Sequence, residues 1–222
     1  MMVNLFSVFD PTSYFGLSIN WIIMLIVFML VPMSYYLIDS GFFLMFKSMF
    51  LGVSKVFKEV SFPNYVALNF VCVMTFIYLV LSNLMGLFPF VFTSTAHLYI
   101  TLGMGLVMWM SFFLMGWIKG FSISAAHLVP NGSPLLLAPM MVLIESVSHL
   151  IRPFTLSVRL AANMMAGHLI IGLLSSVSLY SMLGFSMSLL FQSMLLVLEF
   201  GVAIIQGFVF SILLLLYALE YY

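Results

Sequence analysis

Charge is what this sequence has least of. Its 222 residues hold six Lys or Arg and six Asp or Glu, 5% of the chain, where a soluble domain carries about 25%. A soluble globule could not cover its exterior with so few charges, and its outside would be one apolar patch. Formal net charge is zero, so nothing points to a nucleic-acid partner. Cysteine is nearly missing too. The single Cys72 excludes an intrachain disulfide and a CxxC redox motif, and in its apolar run it reads as a small apolar side chain. Lys and Arg are absent from the first 16 residues, which contain Asp10, so no cleavable leader with a basic start is expected. No HExxH and no convincing nucleophile–base pattern is present, which argues against a membrane hydrolase.

What is abundant is apolar surface: 65% of residues are hydrophobic and the mean hydropathy is +1.29. The chain is an all-α integral membrane protein by this reading. At about 20 residues per span it has room for about five membrane helices and no separate soluble domain. The first run is 17–38, closed by Asp39-Ser40-Gly41, with Pro32 able to kink it. Spans follow at 65–88 and 98–118. Residues 127–134 are dense in turn formers and make a loop. Trp21, Trp109 and Trp117 read as interface anchors or packing, and His97 and His127, at loop edges, as solvated or interfacial.

Segment 42–60 differs. At 100° per residue, Lys47, Ser48, Ser54, Lys55, Lys58 and Glu59 fall within about 140° of arc, opposite Phe43, Phe46, Phe50, Val53 and Phe57. Leu44 and Leu51 intrude on the polar arc. The pattern predicts an amphipathic helix lying in the interface rather than crossing the bilayer.

Two runs are too long for ordinary spans. Segment 135–177, as one helix of about 43 residues, would reach roughly 65 Å, against a hydrocarbon core of about 30 Å. A second long run, 187–219, follows a Ser-Gly turn around 181–186. Neither has a turn cluster at its middle, so a long tilted hairpin is preferred over four short spans. With these spans, Lys47, Lys55, Lys58 and Lys119 fall in connections on one side. By the positive-inside rule that side is the cytoplasm or matrix, which places the N-terminus outside and the C-terminus inside.

The remaining polar residues cluster in the hairpin: Glu145, His149, Arg152, Arg159, Asn163, His168, Glu199, Gln206 and Glu220. An ionisable side chain at mid-bilayer costs roughly 2.5–3.5 kcal/mol on insertion scales, so such residues face a bundle interior or wet cavity and are functional candidates by default. Arg159 and Asn163 are i, i+4 and share a face. Glu199, Gln206 and Glu220 are spaced by multiples of seven and form one stripe. Such a stripe describes either the wall of an aqueous path or a buried structural network. Arg does not give up its proton at accessible pH, whereas Glu and His can load and unload. A fixed cation between titratable groups suits proton transfer that must not short-circuit.

At these residues a family becomes visible. The stretch Glu145-Ser-Val-Ser-His-Leu-Ile-Arg-Pro-Phe-Thr-Leu-Ser-Val-Arg-Leu-Ala-Ala-Asn-Met-Met-Ala-Gly-His168 closely resembles subunit a of the mitochondrial F-type ATP synthases. Asn83-Leu-Met-Gly-Leu-Phe-Pro89 and Glu199-Phe-Gly-Val-Ala-Ile-Ile-Gln206 resemble it too. The abundance of Met and Phe, 20 and 24 residues, fits an AT-rich organelle genome. The resemblance implies a non-catalytic stator subunit of the mitochondrial inner membrane. It would face a ring of c subunits and contact other Fo and peripheral-stalk subunits and lipid, with no cofactor and no metal.

It also implies roles. Arg159 would separate two offset half-channels, with Asn163 and Gln206 as its polar neighbours. His168 and Glu199 would line the half-channel open to the intermembrane space, and Glu145 and Glu220 the one open to the matrix. Arg152 departs from members with an uncharged residue before the proline. It is structural, or pairs with Glu145 or lipid. Two rivals remain on the residues alone. A haem protein needs facing histidine pairs, and the gaps of 30, 22 and 19 between the four His do not offer them. A self-contained channel or transporter would be expected to show inverted repeats, and none is found.

Overall fold

The computed structural model describes residues 5–12, 16, 18–31, 39–61, 66–88, 91–129, 137–178 and 182–221. Among them there is no strand. The helices are α1 (Ile23–Leu30), α2 (Gly41–Val60), α3 (Val66–Gly86), α4 (Leu98–Lys119), α5 (Phe121–His127), α6 (Ala138–Val177) and α7 (Met182–Tyr221). Short 3-10 turns lie at Leu5–Phe9, Ile19–Ile22 and Ser94–Ala96. Four helices, α3, α4, α6 and α7, are long and apolar enough to cross a bilayer.

The first run is described as a helix only as far as Leu30. Val31 is extended, with ψ 112°, because the ring of the following Pro32 disfavours helical backbone at the residue before it. Residues 32–38 lie outside the described residues, so a full 17–38 span is not seen. Phe28 stacks on Tyr78, ring centroids 5.0 Å apart, and this ties α1 to α3.

Helix α2 opens on a Ser40 cap whose hydroxyl accepts the Phe43 N–H at 3.4 Å. Its phenylalanine face turns inward. Phe57 is fully buried, with its ring 6.3 Å from that of Phe76 on α3 and 6.1 Å from that of Phe208 on α7. Lys47, Lys55, Lys58 and Glu59 are exposed, as are the intruding Leu44 and Leu51. Asp39, expected to end the first run, pairs with Lys47 at 3.1 Å.

The core lies where α3, α4, α6 and α7 meet and includes Cys72, Leu79, Leu160, Phe210 and Leu215. Polar side chains inside it are tied back to the main chain. Thr75 and Ser82 each donate to the carbonyl three residues earlier at 2.9 Å, so their hydroxyls are not left unbonded in apolar surroundings. Asn83, wholly buried, donates across to the Ala203 carbonyl of α7 at 3.3 Å. Backbones approach closely here: a Cβ on Gly207 would lie 2.7 Å from Val80 Cγ2. That contact is open only to glycine.

Helices α6 and α7 are each 40 residues, or about 60 Å, and upright they would overshoot a bilayer core of about 30 Å. Pro153 lies inside α6, and the Ser157 hydroxyl donates to its carbonyl at 2.9 Å. Segment 182–186, read from the sequence as a turn, is already helix. The Ser186 hydroxyl is accommodated within the helix by donating to the Leu183 carbonyl at 3.1 Å. Helix α5 lies where the sequence suggested only the approach to a loop. Residues 130–136 and the His127 side chain lie outside the described residues.

His97 differs from the solvated reading. Its ring lies 5.2 Å from both Trp21 and Phe92, and its Nε2 is buried. The loop before α4 is itself packed inward, from Phe92 to Ala96.

Candidate functional site

The polar residues of α6 and α7 meet along the seam between the helices. As the pairing advances along α6 it retreats along α7, the register of an antiparallel hairpin. The seam carries three groups.

The first joins Glu145, His149 and Arg152 of α6 with Glu220 of α7. The Arg152 guanidinium donates to Glu220 Oε2 at 2.8 Å and lies 3.6 Å from Glu145 Oε1. The buried His149 places Nε2 3.4 Å from Glu145 Oε1 and 4.0 Å from Glu220 Oε1. Arg152 also lies over the Tyr217 ring, 5.6 Å from its centroid. Glu145 and Glu220 are thus brought together as the sequence suggested. Of the readings open for Arg152, the ion pair is the one seen. His149, one of the hairpin's functional candidates, carries no assigned role in the sequence reading. Its signal was the i, i+4 spacing from Glu145, which puts both on one helical face.

The second group is Asn163 and Gln206, with Asn163 Nδ2 donating to Gln206 Oε1 at 3.3 Å. Gln206 is buried and its Nε2 has no partner among the described residues. One turn earlier on α6, Arg159 is exposed. It forms no ion pair among the described residues. It shares an outward face with Ala162, Asn163 and Ala166, all exposed. Small neighbours leave the guanidinium accessible to another surface.

The third group is Glu199 and His168. Glu199 is 8% exposed, and neither of its carboxylate oxygens has a hydrogen-bond partner among the described residues. Its carboxyl group lies over Gly167, where a Cβ would overlap it, so the side chain holds this particular position because residue 167 has no Cβ. Glu199 and Gly167 line a cavity of about 200 Å³ that reaches Asn163. His168, with its Nε2 also unpartnered, lines a different cavity of about 590 Å³ that includes Asp10, Asn20, Thr93 and Ser175. His168 and Glu199 make no hydrogen bond to each other. Buried polar atoms without protein partners are costly unless water or a proton satisfies them. A cavity beside each supplies the room.

Among the described residues, Glu145, His149 and Glu220 also lie close enough to offer donor atoms to a metal, but Arg152 already occupies their shared charge. The chemistry this seam supports is proton exchange: two titratable groups displaced along the hairpin, with a permanent cation between them.

The family model described as ATP synthase A chain matches residues 17–218. The chain belongs to the ATP synthase A chain family. It is similar along its whole length to ATP synthase subunit a of Drosophila melanogaster, 44% identical over 222 residues, covering 99% of each chain. Subunit a of Artemia franciscana is 46% identical over 221 residues, covering 99% of this chain and 100% of that one. Subunit a of Locusta migratoria is 44% identical over 232 residues, with both chains fully covered. Membership of the ATP synthase A chain family, with four helices fit to cross a bilayer, makes this a multi-pass membrane component of the proton-translocating part of an ATP synthase. Its animal relatives fit a mitochondrial setting.

Proposed function

We propose that the chain is the stator half of a rotary proton path in the mitochondrial inner membrane, with Arg159 dividing two offset half-channels. The observation that supports this is the placement of Arg159. It is a permanent cation on an outward face of a long apolar helix, unpaired among the described residues. It stands about 21 Å along the helix from Glu145 and about 14 Å from His168, at 1.5 Å per residue. A charge so placed within the bilayer needs an anionic partner from outside the chain. A ring of c subunits, each carrying one carboxylate, provides it.

A proton enters from the intermembrane side past His168 and Glu199 and neutralises a ring carboxylate, which can then face lipid at lower cost. After nearly a full turn that carboxyl meets Arg159 again. The guanidinium favours the ionised form, and the proton leaves toward Glu145 and Glu220 and the matrix. Asn163 and Gln206 fix the polar surface next to Arg159. Helix α1, the interfacial helix α2, the spans α3 and α4 and the α6/α7 hairpin form one membrane domain. Its N-terminus faces the intermembrane space and its C-terminus the matrix. The chain binds other Fo and peripheral-stalk subunits, has no cofactor, and leaves nucleotide chemistry to the rest of the complex.

The test is Arg159→Ala in the assembled complex. Proton-coupled ATP synthesis should vanish while subunit content stays normal. Coupled synthesis at an ordinary rate in that variant would reject the proposal. Arg159→Lys should also fail, because an ammonium can deprotonate and lacks the planar fork.

A further inference from the structure

The six acidic residues can be sorted by what each one meets. Asp39 pairs with Lys47, and Glu145 and Glu220 share Arg152 and His149. Glu59 lies on the exposed, lysine-bearing face of α2, and Glu199 lies buried over Gly167. Asp10 remains. It is exposed and forms no ion pair among the described residues.

Its position is nevertheless fixed. The preceding residue, Phe9, is buried and packs against Ala96 and Met164. The Phe9 ring meets the His168 imidazole edge-on, at 6.5 Å and 84°. The Asp10 N–H donates to the Ser7 carbonyl at 3.3 Å, closing the turn. Phe9 therefore pins the Leu5–Phe9 turn onto α6 and sets Asp10 on the cavity of about 590 Å³ that His168 also lines.

The lining of that cavity comes from the N-terminal turn, α1 and the turn before it, the end of α3 and the loop after it, α6 and α7. Among the described residues, Asp10 and His168 are the titratable ones that line it, and no Lys or Arg takes part. Ser7, Thr12, Asn20, Thr93 and Ser175 add neutral polar groups between apolar walls. A lone anion in a cleft with low-dielectric walls focuses the field and raises the local concentration of cations. A carboxylate can also take a proton from water or a buffer acid and return it to a neighbouring water, with no other reactant needed.

We propose that Asp10 is the proton-collecting carboxylate at the mouth of the half-channel leading to His168, held there by Phe9. This rests on the two-half-channel reading above and adds an element to it.

The experiment uses assembled ATP synthase in sealed vesicles, driven by protons supplied from the side of the N-terminus, with ATP synthesis measured at fixed driving force. Asp10→Asn should slow synthesis about two- to tenfold at about 10 mM ionic strength, where screening reaches roughly 30 Å. The deficit should close as salt rises toward about 1 M, where the screening length is about 3 Å. Asp10→Glu should retain the original rate and salt dependence.

Asp10→Cys, modified after assembly, separates charge from folding. A negatively charged methanethiosulfonate should restore the rate and a positively charged one should depress it. Cys72 is fully buried and should not react. An unchanged rate and salt profile in Asp10→Asn would overturn the proposal. So would a deficit that ignores salt and the sign of the attached charge. Failure of the two-half-channel reading shows elsewhere, as coupled synthesis in Arg159→Ala.

Discussion

Gly167→Ala separates stability from function at the seam. The added methyl would overlap the Glu199 carboxyl group, and even Cγ of Glu199 lies 3.0 Å from the new carbon. The carboxyl is the far end of a flexible side chain, so the protein can yield there by rotating it. An off-rotamer torsion costs about 0.5–1.5 kcal/mol. Against this, replacing a helix-interior glycine by alanine returns about 1 kcal/mol. The two nearly cancel, so assembly and thermal stability should change little.

Proton transfer should not be spared. Glu199 would be driven out of the cavity it shares with Asn163, and displacing a reacting group by about 1 Å can cost around 100-fold. Proton-coupled ATP synthesis should fall by about 10- to 100-fold. The added change Glu199→Asp, which draws the carboxyl back by one methylene, should recover part of it, a coupling that a double-mutant cycle measures. Gly103→Ala and Gly201→Ala are the controls, since a Cβ at either meets nothing within 4 Å. Full synthesis in Gly167→Ala, or equal loss in the controls, would show that proton transfer does not depend on the Glu199 position over Gly167.

Other outcomes follow from the packing and the ion pairs. Phe57→Ala removes a fully buried ring between α3 and α7 and should cost about 3–5 kcal/mol, seen as early proteolysis of the α2 segment and a lower melting temperature. Arg152→Gln leaves Glu145 and Glu220 facing each other without their cation, so synthesis should depend more steeply on matrix ionic strength than in the original chain. Asp39→Asn removes an exposed pair to Lys47 and should change stability by less than about 1 kcal/mol; a larger shift in a thermal melt would assign that pair a role the structure does not give it.

Much of this architecture was legible because a bilayer imposes simple rules. Scarce charge and long apolar runs marked the spans, and the length of the last two runs required a hairpin that is not upright. The stripe Glu199, Gln206 and Glu220 stood out because seven-residue spacing keeps to one face.

What stayed hidden depends on contacts between distant segments. Asp10 entered the sequence reading only as an acid in a start without Lys or Arg, and only the burial of Phe9 against Ala96 and Met164 sets it near His168. His97 read as a loop residue because nothing in its neighbourhood announces Trp21. The need for glycine at 167 cannot be read from α6 alone, since the group that fills its place comes from α7. Helix α7 already includes 182–186, where the Ser186 hydroxyl bonds back to the Leu183 carbonyl, so serine and glycine together need not mark a turn.

In the proposed mechanism Arg159 acts on carboxylates brought to it by another subunit. A density map of the intact complex tests it most directly. The Arg159 guanidinium should stand at the ring interface, within direct or water-bridged hydrogen-bond reach of one ring carboxylate, with Glu199 and Glu220 on opposite sides of it along the membrane normal. Arg159 facing lipid, or paired with an acid of its own chain, would contradict it.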